Sequence, residues 1–326
     1  MSLEKSVNGL KLKEPGSLRE FTGQTRIKRR LKVHLQACKK GGRIPDHQLF
    51  LGPAGLGKTT LARLLAGEAA MEFQYIVGAA ITRAGDLASI IRRMRKRCIL
   101  FIDEMHRLPV ALEEIFYPVL DRFQLEIIAG SGPGARPVHI PLPPFTLIGA
   151  TTKEGSISKP LRTRFSQIHY LKYYTDDELS LLLLQTASDS DILLEPEASK
   201  FLATRSQGTP RLARRLLGNT LDLALIEGTR HITMKLAKNA MQLQNIDCYG
   251  LDEACHRVLQ TLVKSFQGGP VGLSTLAAAI DEEPDTVAMV YEPFLIRKGL
   301  LARTPRGRTA TPAALKHISA QKNRRL

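Results

Sequence analysis

Short, mostly apolar runs recur through the first half of the chain: Leu49-Phe50-Leu51, the continuous Cys98 to Ile102, Phe145 to Ala150 and the shorter stretch Ile168 to Leu171. A run with no polar alternation suits a strand whose sheet is covered on both faces, so these segments predict buried parallel strands. Between them apolar residues recur at helical spacing, as in Leu61, Leu64 and Leu65. Strands alternating with helices predict an α/β fold, a doubly wound domain of five parallel strands with its ligand at the strand C-termini.

The pattern then changes twice. Thr175-Asp176-Asp177-Glu178 reads as a capping box before the apolar helix Leu179 to Leu184, and helical periodicity continues through Leu243. After Asn245-Ile246-Asp247 three short helical patterns follow, Leu251 to Phe266, Leu273 to Ile280 and Pro284 to Arg297, and then a turn-rich segment from Leu301 to Thr309. Three helices and a basic hairpin form a winged-helix pattern. The organisation expected is a large α/β domain over 1–174, a small α-helical domain over 175–245 and a winged-helix domain over 246–326. An alternating stretch, Leu125 and Ile127 followed by Val138, Ile140 and Leu142 around Gly130-Ser131-Gly132-Pro133-Gly134, predicts a hairpin inside the first domain.

Gly52-Pro53-Ala54-Gly55-Leu56-Gly57-Lys58-Thr59-Thr60 stands between a predicted strand and a predicted helix, which is the context a P-loop requires. Its glycines let backbone N–H groups turn inward around phosphates, and the helix N-terminus adds its positive dipole end. Lys58 is positioned for the β- and γ-phosphates, and the Thr59 hydroxyl for Mg²⁺. The apolar strand ending at Ile102 is followed by Asp103-Glu104. Asp103 is suited to the Mg²⁺ shell and Glu104 to deprotonating a water aimed at the γ-phosphate. ATP and Mg²⁺ are thus the expected cofactors. Thr151-Thr152 ends the next strand, where a hydroxyl can sense the γ-phosphate, while His106 just past Glu104 is open to a catalytic role or, more commonly for a lone histidine there, a structural one. Arg211 follows Pro210 in a first helical turn, a disfavoured place for a cation that a bound anion would compensate.

Charge adds a partner. Lys and Arg outnumber Asp and Glu by 47 to 31 over 326 residues, and this excess favours a polyanion, with nucleic acid leading. From Arg297 to the end there are nine Lys or Arg and no acid, so the wing and tail are expected to contact phosphates without reading bases. Cys38, Cys98, Cys248 and Cys255 have neither CxxC spacing nor a matching histidine cluster, which argues against a zinc site and a disulfide scaffold. No apolar run approaches the ~18 residues of a membrane span, so a cytoplasmic protein is expected.

The order of GPAGLGKTT, LFIDEMHRL, PPFTLIGATT, PLRTRF, GTPR, GGPVGLSTLAAAI and RTPRGR resembles the bacterial RuvB family of Holliday-junction branch-migration ATPases over nearly the whole chain. The resemblance implies an AAA+ P-loop domain, a helical lid, a winged-helix head and a homohexameric ring around duplex DNA at four-way junctions. RuvA is implied as its partner, with RuvC nearby. Carried over by position, Gly55, Gly57, Lys58, Thr59 and Thr60 serve nucleotide and metal, Asp103 and Glu104 form Walker B, Thr152 is sensor 1 and Arg211 is sensor 2. Asp121, Arg122, Phe123 and Tyr174 match further positions near the family's nucleotide, and Arg164 matches the arginine finger, with Arg162 as the fallback. Arg303 and Arg308, with Arg306 between them, match the DNA-contacting wing, and the hairpin residues Leu125, Ile127, Ile128, Val138 and Ile140 match the RuvA-binding element.

This chain departs from the family's pattern at Lys13-Glu14-Pro15, where Leu-Arg-Pro is usual, at Ala54 in place of a proline and at Ser166 in place of a glycine. None of these removes a phosphate-handling side chain. Two other readings share parts of the pattern: a clamp-loader or initiator-like AAA+ switch, and a DNA-binding regulator that does not hydrolyse ATP.

Overall fold

The computed structural model describes residues 5–7, 9–94, 97–129 and 136–322. Contacts divide the chain into two units, Met1–Ser190 with Thr209–Leu212, and Asp191–Gly208 with Ala213–Leu326.

The first unit opens with the small hairpin β1 (Lys5–Val7) and β2 (Leu10–Leu12), followed by helix α1 (Thr25–Lys40). Next come β3 (Gln48–Leu51), α2 (Lys58–Ala69), β4 (Glu72–Val77), α3 (Ala84–Arg93), β5 (Cys98–Asp103) and α4 (Val110–Arg122). A second hairpin, β6 (Gln124–Ala129) with β7 (Arg136–Pro141), precedes β8 (Thr146–Thr151), α5 (Lys159–Thr163), β9 (Gln167–Tyr170) and α6 (Asp176–Asp189). The five-stranded sheet runs β4-β5-β8-β3-β9, and every pair in it is parallel. Its apolar strands are buried on both faces: all of β3 and β8 is buried, and so is β5 up to Ile102. The register sets Leu51 beside Thr151 and Tyr170, so the C-terminal ends of β3, β8 and β9 open on one edge, where β5 ends in Asp103. The expected capping box of α6 is formed: the Glu178 N–H donates to Thr175 Oγ1 at 3.2 Å and the Thr175 N–H to Glu178 Oε2 at 3.0 Å.

The second unit contains β10 (Leu193–Leu194), α7 (Pro196–Arg205), most of α8 (Pro210–Ile226), β11 (His231–Ile232) and α9 (Met234–Leu243). It continues with α10 (Glu253–Lys264), α11 (Leu273–Ala279), α12 (Pro284–Thr286), α13 (Glu292–Arg297), the wing strands β12 (Leu301–Thr304) and β13 (Gly307–Ala310), and α14 (Pro312–Lys322). The helix expected over Pro284–Arg297 is interrupted by a π-helical turn at Val287–Tyr291, which precedes the buried Glu292. The described part of the basic segment after the wing, α14, is not a solvated tail. Ala314 and Ile318, four residues apart on one face of α14, join Val258, Leu262 and Leu295 in one apolar cluster. Gly307 lets the wing pair with Val271 in the segment between α10 and α11. Val271 and Arg308 exchange backbone hydrogen bonds of 3.0 and 2.8 Å, and a Cβ on Gly307, at φ 133°, would stand 2.3 Å from the Val271 carbonyl oxygen.

Candidate functional site

The loop from Gly52 to Gly57 leaves β3 and enters α2 at Lys58. Lys58 is buried, and its ammonium donates to the Gly52 and Pro53 carbonyls at 2.7 and 2.9 Å. Burial lowers its pKa, opposed by the carboxylates of Glu104 and Asp103 and reinforced by the cation of Arg211. Four residues chosen by motif from three separate segments therefore share one electrostatic neighbourhood. Arg211 reaches it from the start of α8: a Cβ on Gly55, at φ 80°, would stand 3.0 Å from the Arg211 Cβ. Thr59 and Thr60 are half-buried in the first turn of α2. Tyr174 is buried and donates from its hydroxyl to the Leu56 carbonyl at 3.3 Å. Phe21, which no motif singled out, is buried against Gly57, where a Cβ at φ 93° would stand 2.8 Å from its ring.

The two acids at the end of β5 have different surroundings. Asp103 Oδ1 accepts the Glu104 N–H at 3.0 Å, and Oδ2 accepts the Tyr75 hydroxyl at 3.3 Å. Glu104 adopts a left-handed backbone, φ 48° and ψ 48°, a conformation that costs a non-glycine residue roughly 1–2 kcal/mol. The turn aims its carboxylate at the next strand end, where Thr152 Oγ1 donates to Glu104 Oε2 at 3.3 Å. His106 Nδ1 lies 3.1 Å from the same oxygen and 2.8 Å from Thr151 Oγ1. His106 is thus a member of the site, although a structural role is the more common one for a lone histidine in its position after the strand. Its only local signal was its place three residues beyond Asp103.

A second group lies at the opposite edge of the sheet. Phe123 packs edge-on against His47 and Phe145, with ring centroids 6.1 and 5.9 Å away. These two residues immediately precede β3 and β8, so they mark the N-terminal ends of those strands. At ~3.3 Å per residue, the five residues from His47 to Gly52 separate this edge from the P-loop by roughly 16 Å. Asp121, Arg122 and Phe123 are therefore not brought to the chain's own P-loop. Arg164 stands with them: its Nε donates to Asp121 Oδ2 at 3.0 Å, its Nη1 to the Pro160 carbonyl at 2.9 Å, and its guanidinium lies 4.1 Å over the Tyr117 ring. Its side chain is 25% exposed. Arg162 is paired with Glu154 and also donates to the Tyr170 hydroxyl at 3.0 Å.

At the hairpin the structure corrects one residue. Leu125 is fully buried in its own domain's core and so committed internally, while Ile140 is half-buried, with part of its side chain packed against that core. Val138, opposite Ile127 in the register, is 40% exposed. The Ile127 and Ile128 side chains and the turn Gly130–Gly134 lie outside the described residues.

The wing differs from a row of free cations. Arg303 and Arg308 both pair with the fully buried Glu292, Arg303 from Nε at 2.7 Å and Arg308 from Nε at 2.6 Å. Arg303 remains 51% exposed and Arg308 only 18%. Arg306, at the turn, is exposed. Glu292 as their shared anchor left no trace in the local pattern.

Family models match the chain in three consecutive blocks. Residues 13–171 match the Holliday junction DNA helicase RuvB P-loop domain, 174–247 the RuvB AAA lid domain and 248–319 the RuvB C-terminal winged helix domain. The Holliday junction branch migration complex subunit RuvB of Limosilactobacillus reuteri is 43% identical over 307 residues, covering 94% of this chain and 91% of that protein.

The chain belongs to the RuvB family.

The Kosmotoga olearia protein of the same description is also 43% identical, over 93% of this chain and 89% of its own length. Among solved structures, the Thermotoga maritima RuvB Holliday junction branch migration motor matches with a TM-score of 0.86 at 41% identity, covering 94% of this chain and 98% of that one. RuvB membership makes the parallel sheet with its P-loop an AAA+ ATPase domain, followed by the lid and the winged helix.

Proposed function

We propose that this chain is an ATP-driven motor that pumps duplex DNA to drive branch migration at four-way junctions in recombination and repair, acting in the cytoplasm. The observation that carries the reading is the Glu104 carboxylate, held by Thr152 and next to His106 at the strand edge that also bears the buried Lys58. That is the arrangement of a hydrolytic P-loop site in a chain with RuvB relatives along its length. No helix among the described residues is long and apolar enough to cross a membrane.

In this reading residues 1–174 hydrolyse ATP, 175–245 form the lid and 246–326 the DNA-binding head. Lys58 exchanges the Gly52 and Pro53 carbonyls for phosphate oxygens, and Arg211 adds a second cation from the lid side. The donors at the metal position, the Asp103 carboxylate and the Thr59 hydroxyl, are hard oxygens that fit Mg²⁺. When bound, Mg²⁺ neutralises phosphate charge. Glu104 takes the proton of the attacking water at its carboxylate, and Thr152 fixes that carboxylate's direction. Arg164, with Asp121, Arg122 and Phe123 beside it, serves the neighbouring subunit's nucleotide in a homohexameric ring. The roughly 16 Å between the two edges of its own sheet supports that division. RuvA docks on the exposed part of the β6–β7 hairpin, and RuvC joins at the junction. Arg306 and the exposed part of Arg303 meet DNA phosphates.

The test is ATP-dependent dissociation of a synthetic four-way junction, with and without RuvA. Strand separation that needs both ATP and an intact Glu104 supports the motor. ATP hydrolysis that leaves the junction unmoved would instead identify a clamp-loader-like switch.

A further inference from the structure

Asp247 gathers two imidazoles from segments far apart in the chain. Its Oδ1 accepts the backbone N–H groups of Tyr249 and Leu251 at 2.8 and 2.9 Å, which leaves Oδ2 turned toward the histidines. Oδ2 lies 2.6 Å from His317 Nε2 and 3.2 Å from His256 Nε2. The two rings stack with centroids 6.0 Å apart and planes 21° apart, and Tyr249 closes edge-on over His317 at 4.7 Å. All three ligand atoms lie within 4.8 Å of one another, and all three side chains are 10–13% exposed. His256 comes from α10, His317 from α14 and Asp247 from the loop before α10.

Two imidazole nitrogens and one carboxylate oxygen are a donor set for a borderline transition ion, with water in the fourth position. Bonds of about 2.0–2.2 Å in a tetrahedron place donors roughly 3.3–3.5 Å apart. The His256–Asp247 separation of 3.2 Å is already close to that, and the His317–Asp247 separation of 2.6 Å must open by roughly 0.7 Å. The two backbone donors on Oδ1 supply the outer contact that orients a ligating carboxylate. Mg²⁺ and Ca²⁺ prefer all-oxygen shells and fit this set poorly.

We propose that Asp247, His256 and His317 bind one Zn²⁺ ion, which cross-links α14 to α10 and to the loop that opens the winged helix. The cysteines gave no sign of such a site, and the ligands come together only through tertiary packing: Asp247 and His317 are 70 positions apart.

The full chain, stripped with a chelator, is titrated with Zn²⁺ against a competing chromophoric chelator. Co²⁺ substitution then reads the coordination by its visible d–d bands. One equivalent of bound metal, a tetrahedral cobalt spectrum and slower hydrogen exchange across 253–264 and 312–322 on Zn²⁺ addition are expected. His317→Gln and His256→Asn should each weaken Zn²⁺ binding by about tenfold or more. Cys248→Ser, which removes the exposed thiol next to Asp247, should leave it unchanged. Absence of binding, binding indifferent to both histidine substitutions, or binding lost with Cys248 overturns the proposal. Should a histidine variant fail to fold, the cobalt spectrum and the exchange pattern of the unaltered chain decide it: a spectrum that is not four-coordinate, or no change in exchange at α10 and α14, overturns it.

Discussion

Replacing both Arg303 and Arg308 by alanine tests whether the wing cations serve DNA alone. Glu292 is 0% exposed at the start of α13, and these two guanidinium groups are the cations placed on it. Arg308, 18% exposed, makes two contacts, 2.6 Å to Oε1 and 3.4 Å to Oε2, so its removal alone should cost about 2 kcal/mol. Arg303 is half exposed, and solvent screening reduces its separate contribution to about 1 kcal/mol or less. Removing both strands a buried carboxylate without a cation, a change worth about 3–5 kcal/mol. For a winged helix of this size that is a shift of roughly 15 °C or more in its unfolding. The assay is hydrogen exchange of the full chain over 253–318, together with duplex affinity as a function of salt. Exchange should rise throughout the winged helix in the double variant, and Glu292→Leu added to it should restore much of the protection. Arg306→Ala should change stability by less than ~0.5 kcal/mol while lowering the salt slope by about one. If the double variant keeps wild-type protection and loses only DNA affinity, the reasoning from the buried carboxylate is refuted.

Glu104→Gln should leave ATP binding nearly intact and abolish turnover, because Asp103 and Thr59 remain while the water loses its base; retained steady-state hydrolysis would remove Glu104 from that role. Rings mixed from Arg164→Ala and Lys58→Ala subunits, each inactive alone, should recover ATPase activity at sites pairing a sound P-loop with a sound arginine. Loss of such a finger costs roughly 10³–10⁵ in rate, so recovery is easily read, and its absence in verified mixed rings counts against action in trans. Val138→Asp, opposite Ile127 in the hairpin, should weaken RuvA binding while RuvA-independent ATPase persists; equal binding would take this face out of the interface. Burial, helped by the charges of Arg30 and His34, pushes His169 down to about 4. The folded state therefore binds fewer protons than the unfolded one between about 4 and 6.5. Stability should be complete above that window and fall by up to about 3 kcal/mol as pH drops through it. His169→Gln should flatten the acid side of a plot of unfolding temperature against pH, and an unchanged slope would rule out this group as its source.

What the sequence determined by itself was everything carried by short spacing. Continuous apolar runs marked the core strands because both faces of a parallel sheet are covered, and Gly52 to Thr59 marked the phosphate loop because its geometry is set within eight consecutive residues. The capping box of α6 was legible for the same reason. Alternation in the β6–β7 hairpin showed one apolar face but not what covers it, and the structure gives Leu125 and part of Ile140 to the domain's own core. Ala314 and Ile318 were too sparse a signal to distinguish a helix from a basic tail until their apolar partners on α10 and α13 were in place. The pairings that assign chemistry depended on tertiary structure alone: Thr152 with Glu104, Arg164 with Asp121, and Glu292 with both wing arginines. The identity of a charged residue is local, but its partner is chosen by where strand edges and helix ends meet, and no local periodicity encodes that meeting.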